Sequence, residues 1–194
     1  MVALPPEPIF ESLVQAYTQP QRAYHTLEHV QDCLEQLDWS RHLAEHADEV
    51  EIALWFHDAV YDPHASDNEE QSAAWAAKIL QDGQVELDVT ARVSRLILAT
   101  RHQAAPASRD DALIVDIDLS ILGHDHTEFD RYEANIRREY EWVADAAYRE
   151  ARAQILESFL HRDTVFQTPE FQRRYEVRAR DNLSRSIRKL RIGQ

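Results

Sequence analysis

Glycine is nearly absent from this sequence, and its scarcity limits the possible folds more than any other feature. The 194 residues include only three glycines, while 44% of the chain is hydrophobic and 29% is charged. This composition indicates a folded chain dominated by helices, and it argues against a disordered chain or a glycine-rich β architecture. We therefore predict an all-α fold in which residues 1–194 form a single compact domain.

Apolar residues recur at helical spacing along most of the chain. In the 43–61 segment, for example, Ile52 and Trp55 fall on one face while acidic residues crowd the early turns. The stretch "ALIVDIDLSILG" has the β-branched content of a buried strand, but helical segments flank it, so a short helix containing Asp118 is preferred. The other predicted helices cover about residues 7–17, 26–38, 43–61, 69–82, 88–102, 128–161 with a break near 144–148, and 169–191.

The charge of the chain is strongly negative overall but positive near its end. The formal net charge is −14, whereas residues 173–191 hold eight Arg or Lys against Glu176 and Asp181. The overall charge disfavours polyanion binding, and basic residues above an apolar stripe are typical of a solvated helix face packed on a domain. We therefore expect neither a nucleic-acid partner nor a membrane span, and the sequence does not indicate an oligomeric state.

Cys33 is the only cysteine in the chain. A single cysteine excludes an internal disulfide and a zinc cluster built from thiolates, so any metal is expected to be held by histidine and carboxylate. The N-terminal segment "MVALPPEPIF" lacks the basic and apolar regions of an export signal. The combination predicts a cytoplasmic protein.

The most informative polar residues lie inside apolar segments, because burying an unpaired charge or imidazole is costly. His57 and Asp58 interrupt "ALWFHDAVY", and Asp118 lies among aliphatic residues. Adjacent helical residues point about 100° apart, so His57 and Asp58 would flank one ion from two sides. With His29 as a further donor, this set suits a divalent Mn, Fe, Ni, Co or Zn ion, and suits Mg less well.

The order His29, His57-Asp58 and Asp118 resembles the H…HD…D signature of the HD superfamily of metal-dependent phosphohydrolases, which are all-helical proteins. Among these, the chain is most similar to small bacterial predicted HD-domain phosphohydrolases, over residues 20–187. The resemblance implies that these four residues hold a divalent ion, and that a metal-activated water hydrolyses a small phosphate ester or nucleotide. The matching segments are "YHTLEH", "WFHDAVYD", "DNEEQSA", "DIDLSILG" and "ARDNLSRSI".

The segment "YHTLEH" is also similar to the "YHN..H" segment of eukaryotic cyclic-nucleotide phosphodiesterases. That similarity implies that His29 ligates metal while His25 acts as general acid; in the alternative interpretation, His25 caps the helix or supports a ligand. Thr26 replaces the asparagine of the phosphodiesterases, and Tyr61 stands at the final position of their "HDxxH" pattern. These two departures argue against a cyclic nucleotide as substrate.

Three further residues bear on which aspartate is the last ligand and on whether a second ion binds. Asp116 is the alternative to Asp118 as last ligand; we favour Asp118, with Asp116 orienting a ligand histidine. His64 and His102 are candidates for a second ion, although His64 lies in a polar segment typical of a solvated side chain.

Five other residues are predicted to contact the substrate or to support the ligands. Arg22 and Arg101 are candidates for bidentate contacts with phosphate. Asn68 and Glu69 either line the site or simply begin a helix, where amide and acidic side chains are favourable. Tyr24 completes the set because it adjoins His25 in the "YHTLEH" segment.

Two alternative functions remain open from the sequence. A di-iron oxygenase would use the same superfamily site with a second metal ion, while a binding or regulatory module would retain the pocket and bind nucleotide without turnover. Iron content with oxygen consumption would distinguish the first alternative, and ligand binding without turnover would distinguish the second.

Overall fold

The computed structural model describes residues 7–192, and all the regular secondary structure in that range is helical. The prediction of an all-α fold is confirmed. None of the helices in this range combines the length and the hydrophobicity needed to span a bilayer. The chain divides into two compact units, with the boundary between Ile117 and Asp118, and the prediction of a single domain stays a prediction.

The first unit contains the helices that carry the candidate site. A short 3₁₀ segment, Arg41–Leu43, follows the second of them. The helices are α1 (Glu7–Tyr17), α2 (Leu27–Ser40), α3 (Ala47–Phe56), α4 (Asn68–Asp82), α5 (Leu87–Ala99) and α6 (Arg109–Asp118), whose last residue begins the second unit.

The core of the first unit forms where α3 and α4 pack on α5, and α2 packs on α3. Val50, Ala53 and Leu54 of α3 are fully buried, and their spacing places them on one helical face. Val93 and Ile97 of α5 are also fully buried. Burying each Val, Leu or Ile side chain contributes roughly 1.5 to 3 kcal/mol, so this contact fixes α3 firmly.

Polar contacts set the position of α3 along its axis. The Glu49 carboxylate on α3 accepts two hydrogen bonds of 2.7 Å from the Arg92 guanidinium on α5. The Asp110 carboxylate on α6 accepts hydrogen bonds from the backbone N–H groups of Glu45 (2.7 Å) and His46 (3.0 Å), just before α3 begins. Because both contacts hold the early part of α3, the position of its far end, next to His57, is defined.

The second unit contains a 3₁₀ segment, Leu119–Gly123, followed by α7 (His126–Glu139), α8 (Asp145–Leu160) and α9 (Pro169–Arg191). Helix α9 packs on α8 and on the 3₁₀ segment. The buried Asn182 amide of α9 donates hydrogen bonds of 2.9 Å to the carbonyls of Leu122 and His124. At Gly123 an added Cβ would lie 2.4 Å from the Tyr175 Cβ, so this close approach requires glycine.

Several predicted boundaries differ from the observed ones. The segment predicted as one helix over 43–61 forms α3 only over Ala47–Phe56. The predicted 88–102 helix ends at Ala99, three residues before His102 adopts a left-handed φ of 56°. The break predicted near 144–148 falls earlier, between the end of α7 at Glu139 and the start of α8 at Asp145. The short helix predicted around Asp118 is present as α6.

Candidate metal centre

Two buried histidines from different helices meet in the first unit. His29 lies in the first turn of α2, and His57 directly follows the last residue of α3. Both are almost completely buried, and their Nε2 atoms are 3.1 Å apart. The sequence pattern predicted that they serve one site, and the structure brings them together.

The second ring nitrogen of His57 defines the direction of its lone pair. Its Nδ1 lies 2.8 Å from the Leu54 carbonyl oxygen, which can only accept a hydrogen bond. Nδ1 therefore donates to this carbonyl, and Nε2 is the ring nitrogen that faces His29. This is the arrangement by which metal-binding histidines are commonly oriented.

The Asp58 carboxylate joins the two imidazoles. Its Oδ2 lies 3.0 Å from the His57 Nε2 and 3.5 Å from the His29 Nε2. A circle through the three atoms has a radius of about 1.9 Å, and bonds from zinc to nitrogen or oxygen measure about 2.0 to 2.2 Å. One ion can thus reach all three atoms, so the residues could hold a metal ion.

The electrostatic balance keeps Asp58 ionised. Burial raises the pKa of this carboxyl, but the charges of His57, His25 and His29 and a hydrogen bond from His57 outweigh that effect, and the pKa lies well below its usual value. The Asp58 carboxylate therefore stays ionised near neutral pH, and a negatively charged oxygen beside two imidazoles favours a bound cation.

Arg22 fixes the backbone around the cluster. Its side chain is buried. The guanidinium donates hydrogen bonds to three main-chain carbonyls, those of His25 (2.9 Å), Asp58 (2.8 Å) and Ala59 (3.0 Å). These contacts tie the segment before α2 to the turn after α3. Of the two roles predicted for Arg22, this geometry corresponds to supporting the ligands rather than contacting phosphate.

His25 lies beside the cluster and is half-buried. Its ring stacks on Tyr61 with 4.3 Å between centroids, and lies 6.0 Å from the ring of His29. Tyr24 also contacts His29, at 4.7 Å between ring centroids. The sequence did not identify Tyr61 as a site residue, although its position in the "HDxxH" pattern was a usable signal.

Asn68 and its neighbours organise the loop that leads into α4. The Asn68 side chain accepts a hydrogen bond from the Asp62 N–H (3.0 Å) and donates one to the Asp62 carbonyl (2.9 Å). His64 is exposed, and its backbone N–H donates to the Asp62 carboxylate (2.9 Å). Asn68 thus closes the 62–68 loop, and Glu69 is half-buried in the first turn of α4. Whether Asn68 and Glu69 line a substrate site stays a prediction.

The remaining predicted residues lie at the ends of α5 and α6. Arg101 forms an ion pair with Glu70 of α4, and His102 is half-buried. Asp116 is fully buried within α6, whereas Asp118, its last residue, is half-buried and begins the second unit. The choice between Asp118 and Asp116 as last ligand stays a prediction.

Cys33 is a second residue near the cluster that the sequence interpretation missed. It is buried on α2 one turn after His29, and its Sγ lies 3.8 Å from both ring nitrogens of that histidine. His29, Cys33 and His57 offer ligand atoms within 4.8 Å of one another. The expectation that only histidine and carboxylate are available to a metal is therefore too narrow. The spacing of four residues from His29 was the available signal.

The chain matches no model of a known protein family, no curated protein and no solved structure. Its function must therefore be argued from the residues of the site and from the resemblance of its motifs.

Proposed function

We propose that this protein is a metal-dependent hydrolase that acts on a phosphate ester or nucleotide. The observation that carries the proposal is the convergence of two imidazole nitrogens and one carboxylate oxygen, with no two of the three atoms more than 3.5 Å apart. A proton between two of these atoms would satisfy only that pair. A divalent cation would satisfy all three atoms at once, and the resemblance to the HD superfamily assigns that role to the same residues.

The ligand chemistry narrows the choice of metal. Two imidazoles with one carboxylate suit Mn, Fe, Co, Ni or Zn better than Mg. The resemblance assigns a further carboxylate to Asp118, with Asp116 as the alternative. Within residues 7–192, no second group of three or more metal-ligating side chains is present, which supports one ion rather than two.

When bound, the ion would lower the pKa of a coordinated water and neutralise charge on the phosphoryl oxygens. In our proposal Asp58, whose carboxylate stays ionised, would help hold the ion and would orient the attacking water. His25, at the partly exposed edge of the cluster, donates a proton to the leaving oxygen, while its stacking on Tyr61 holds the imidazole in place. Arg22 keeps both segments in position through its three carbonyl contacts.

The contacts of α9 support a small substrate rather than a nucleic acid. Several of its basic residues pair with acids of the second unit, as in the Arg185–Asp130 (2.7 Å) and Arg191–Glu157 (3.0 Å) ion pairs. Arginines engaged in this way are less available to phosphate backbones. With a net charge of −14, the chain also lacks the electrostatic attraction typical of nucleic-acid-binding proteins.

Metal content and hydrolysis, measured on the same samples, test the proposal. We expect wild-type protein to hold about one transition-metal ion per chain by mass spectrometry and to hydrolyse an aryl phosphate or a member of a nucleotide panel. His57→Ala and Asp58→Asn should lose both properties. His42→Ala removes an exposed histidine and serves as the matched control.

Two results would count against this function. If no metal binds after loading with Mn, Fe, Co, Ni or Zn, the cluster is not a metal centre. If metal binds but neither substrate type is hydrolysed, the centre is not a phosphohydrolase site. Parallel Asp116→Asn and Asp118→Asn variants identify the last ligand, because only the ligating carboxylate should change metal content strongly.

A further inference from the structure

We propose that Cys33 supplies a sulfur ligand to the metal centre and makes it selective for Zn, Fe or Co over Mn and Mg. This inference rests on the proposed function, because it concerns the same cluster. The resemblance to the HD superfamily assigns no role to a residue at this position. The argument depends on three features of Cys33, namely its place on α2, its distance from His29 and its burial.

The place of Cys33 on α2 favours joint ligation with His29. Residues four apart on a helix lie side by side on one face, and helices present pairs of histidine ligands to zinc with this same spacing. His29 and Cys33 both fall on the buried face of α2, together with Val30 and Leu37. The thiol and the imidazole therefore face the same interior space, where His57 meets them.

The distance from the Cys33 thiol to the His29 Nε2 is close to that between two ligands of one ion. Zinc bonds of about 2.1 Å to nitrogen and 2.3 Å to sulfur place the two ligand atoms about 3.6 Å apart in a tetrahedral site. The Cys33 Sγ lies 3.8 Å from the His29 Nε2. Sγ is equally distant from the His29 Nδ1, whereas a sulfur that shares an ion with Nε2 lies nearer to Nε2 than to Nδ1. Joint ligation therefore requires the Cys33 side chain and the His29 ring to turn relative to each other.

Burial alone would be compatible with a simpler role. Cys33 is 2% exposed, and a free cysteine often fills space as a small apolar side chain. The ligand role is favoured by the neighbouring side chains, because His29 and His57 present nitrogen atoms within 4.8 Å of the Cys33 sulfur. On ligation the S–H bond breaks, its electron pair forms the sulfur–metal bond, and the proton leaves to solvent.

The chemical consequence is metal selectivity. Imidazole and carboxylate bind Mn, Fe, Co, Ni and Zn, whereas a thiolate is a soft ligand that prefers Zn, Fe or Co and is a poor partner for Mg and Mn. The affinity for Zn, Fe or Co should therefore exceed the affinity for Mn or Mg by a larger factor in a centre that includes Cys33 than in one built from His29, His57 and Asp58 alone.

Cobalt(II) provides a direct test, because a cobalt–sulfur bond produces a charge-transfer band in the near ultraviolet. We expect wild-type protein loaded with Co²⁺ to show this band together with the visible bands of bound cobalt. Cys33→Ser and Cys33→Ala should keep the visible bands and lose the charge-transfer band, while the exposed-site control His42→Ala keeps both. In competition titrations, Cys33→Ser should lower zinc affinity at least ~10-fold and change manganese affinity less.

The outcomes separate this inference from the proposed function. Bound cobalt without a charge-transfer band in wild type overturns the role of Cys33 and leaves the His29, His57 and Asp58 centre standing. Failure of wild type to bind any of Mn, Fe, Co, Ni and Zn overturns both. If the variants do not fold, the wild-type spectrum decides alone, because Cys33 is the only thiol in the chain.

Discussion

Replacing Arg22 tests whether its buried guanidinium holds the candidate site together. Arg22→Met keeps much of the apolar stem and removes the donors to the carbonyls of His25, Asp58 and Ala59. A hydrogen bond from a charged donor contributes about 1.5 to 3 kcal/mol, and the three are not additive because they share one group. We expect a loss of about 3 to 5 kcal/mol, comparable to breaking a buried ion pair.

A loss of that size is a large part of the total stability, which is about 5 to 15 kcal/mol for a typical protein. For a chain of 150 to 250 residues, each kcal/mol shifts the melting temperature by about 2 to 4 °C, so we expect a decrease of roughly 6 to 20 °C. Circular dichroism during thermal unfolding measures it. The control Arg173→Met removes an exposed arginine that pairs with Glu170, and should change stability by less than about 1 kcal/mol.

Arg22→Lys separates charge from geometry. A lysine keeps the positive charge but lacks the planar fork that reaches several carbonyls at once, so its stability should fall between those of wild type and Arg22→Met. Metal content should fall in both variants, since the turn bearing Asp58 loses its support. A surface arginine is expected to contribute less than about 1 kcal/mol to stability. If the free energy of unfolding of Arg22→Met differs from that of wild type by no more than this, the positioning role is refuted.

Three further predictions address the chemistry and the second unit. His25→Ala should slow hydrolysis of alkyl phosphates by about 10²- to 10⁴-fold and slow p-nitrophenyl phosphate much less, because that leaving group needs no proton; equal effects in parallel rate measurements would exclude general acid catalysis. Gly123→Ala should destabilise the protein by at least ~1 to 3 kcal/mol in urea unfolding, because the new Cβ meets the Tyr175 Cβ on a packed helix, and unchanged stability would show that the backbone can move apart. Burial raises the pKa of Tyr148 to about 12, so the folded state holds this proton more tightly than the unfolded state; the resulting stability is fully present below about pH 10 and is lost as pH rises towards 12. The free energy of unfolding, measured in urea between pH 9 and 12, should therefore fall less with rising pH for Tyr148→Phe than for wild type. An identical pH dependence in the two proteins would contradict a raised pKa for Tyr148.

Periodicity was sufficient to predict most helices, because each apolar stripe is a local property of the sequence. It also placed His29, His57 and Asp58 in one site, since polar residues in buried segments need partners. The contacts of Arg22 and Tyr61 were not predictable in the same way. They depend on how the segment before α2 meets the turn after α3, and that is tertiary information.

The end of α3 shows how local and tertiary forces compete. The pattern of apolar residues predicted a helix continuing to Tyr61, yet α3 ends at Phe56. The Leu54 carbonyl is 2.8 Å from the His57 Nδ1, and the next backbone bond, from the Ala59 N–H to the Phe56 carbonyl, closes a tighter turn. These side-chain and turn contacts replace the bonds that would have extended the helix.

The functional atoms of the adjacent histidine and aspartate meet just after the end of α3. On a continuing helix, His57 and Asp58 would point about 100° apart and approach an ion only from two sides. Beyond the end of α3, the His57 Nε2 and Asp58 Oδ2 lie 3.0 Å apart instead. The turn that permits this is held by Arg22 through the Asp58 and Ala59 carbonyls. In our proposal, the ability of these two neighbouring residues to hold one ion depends on a buried arginine that need not touch the ion itself.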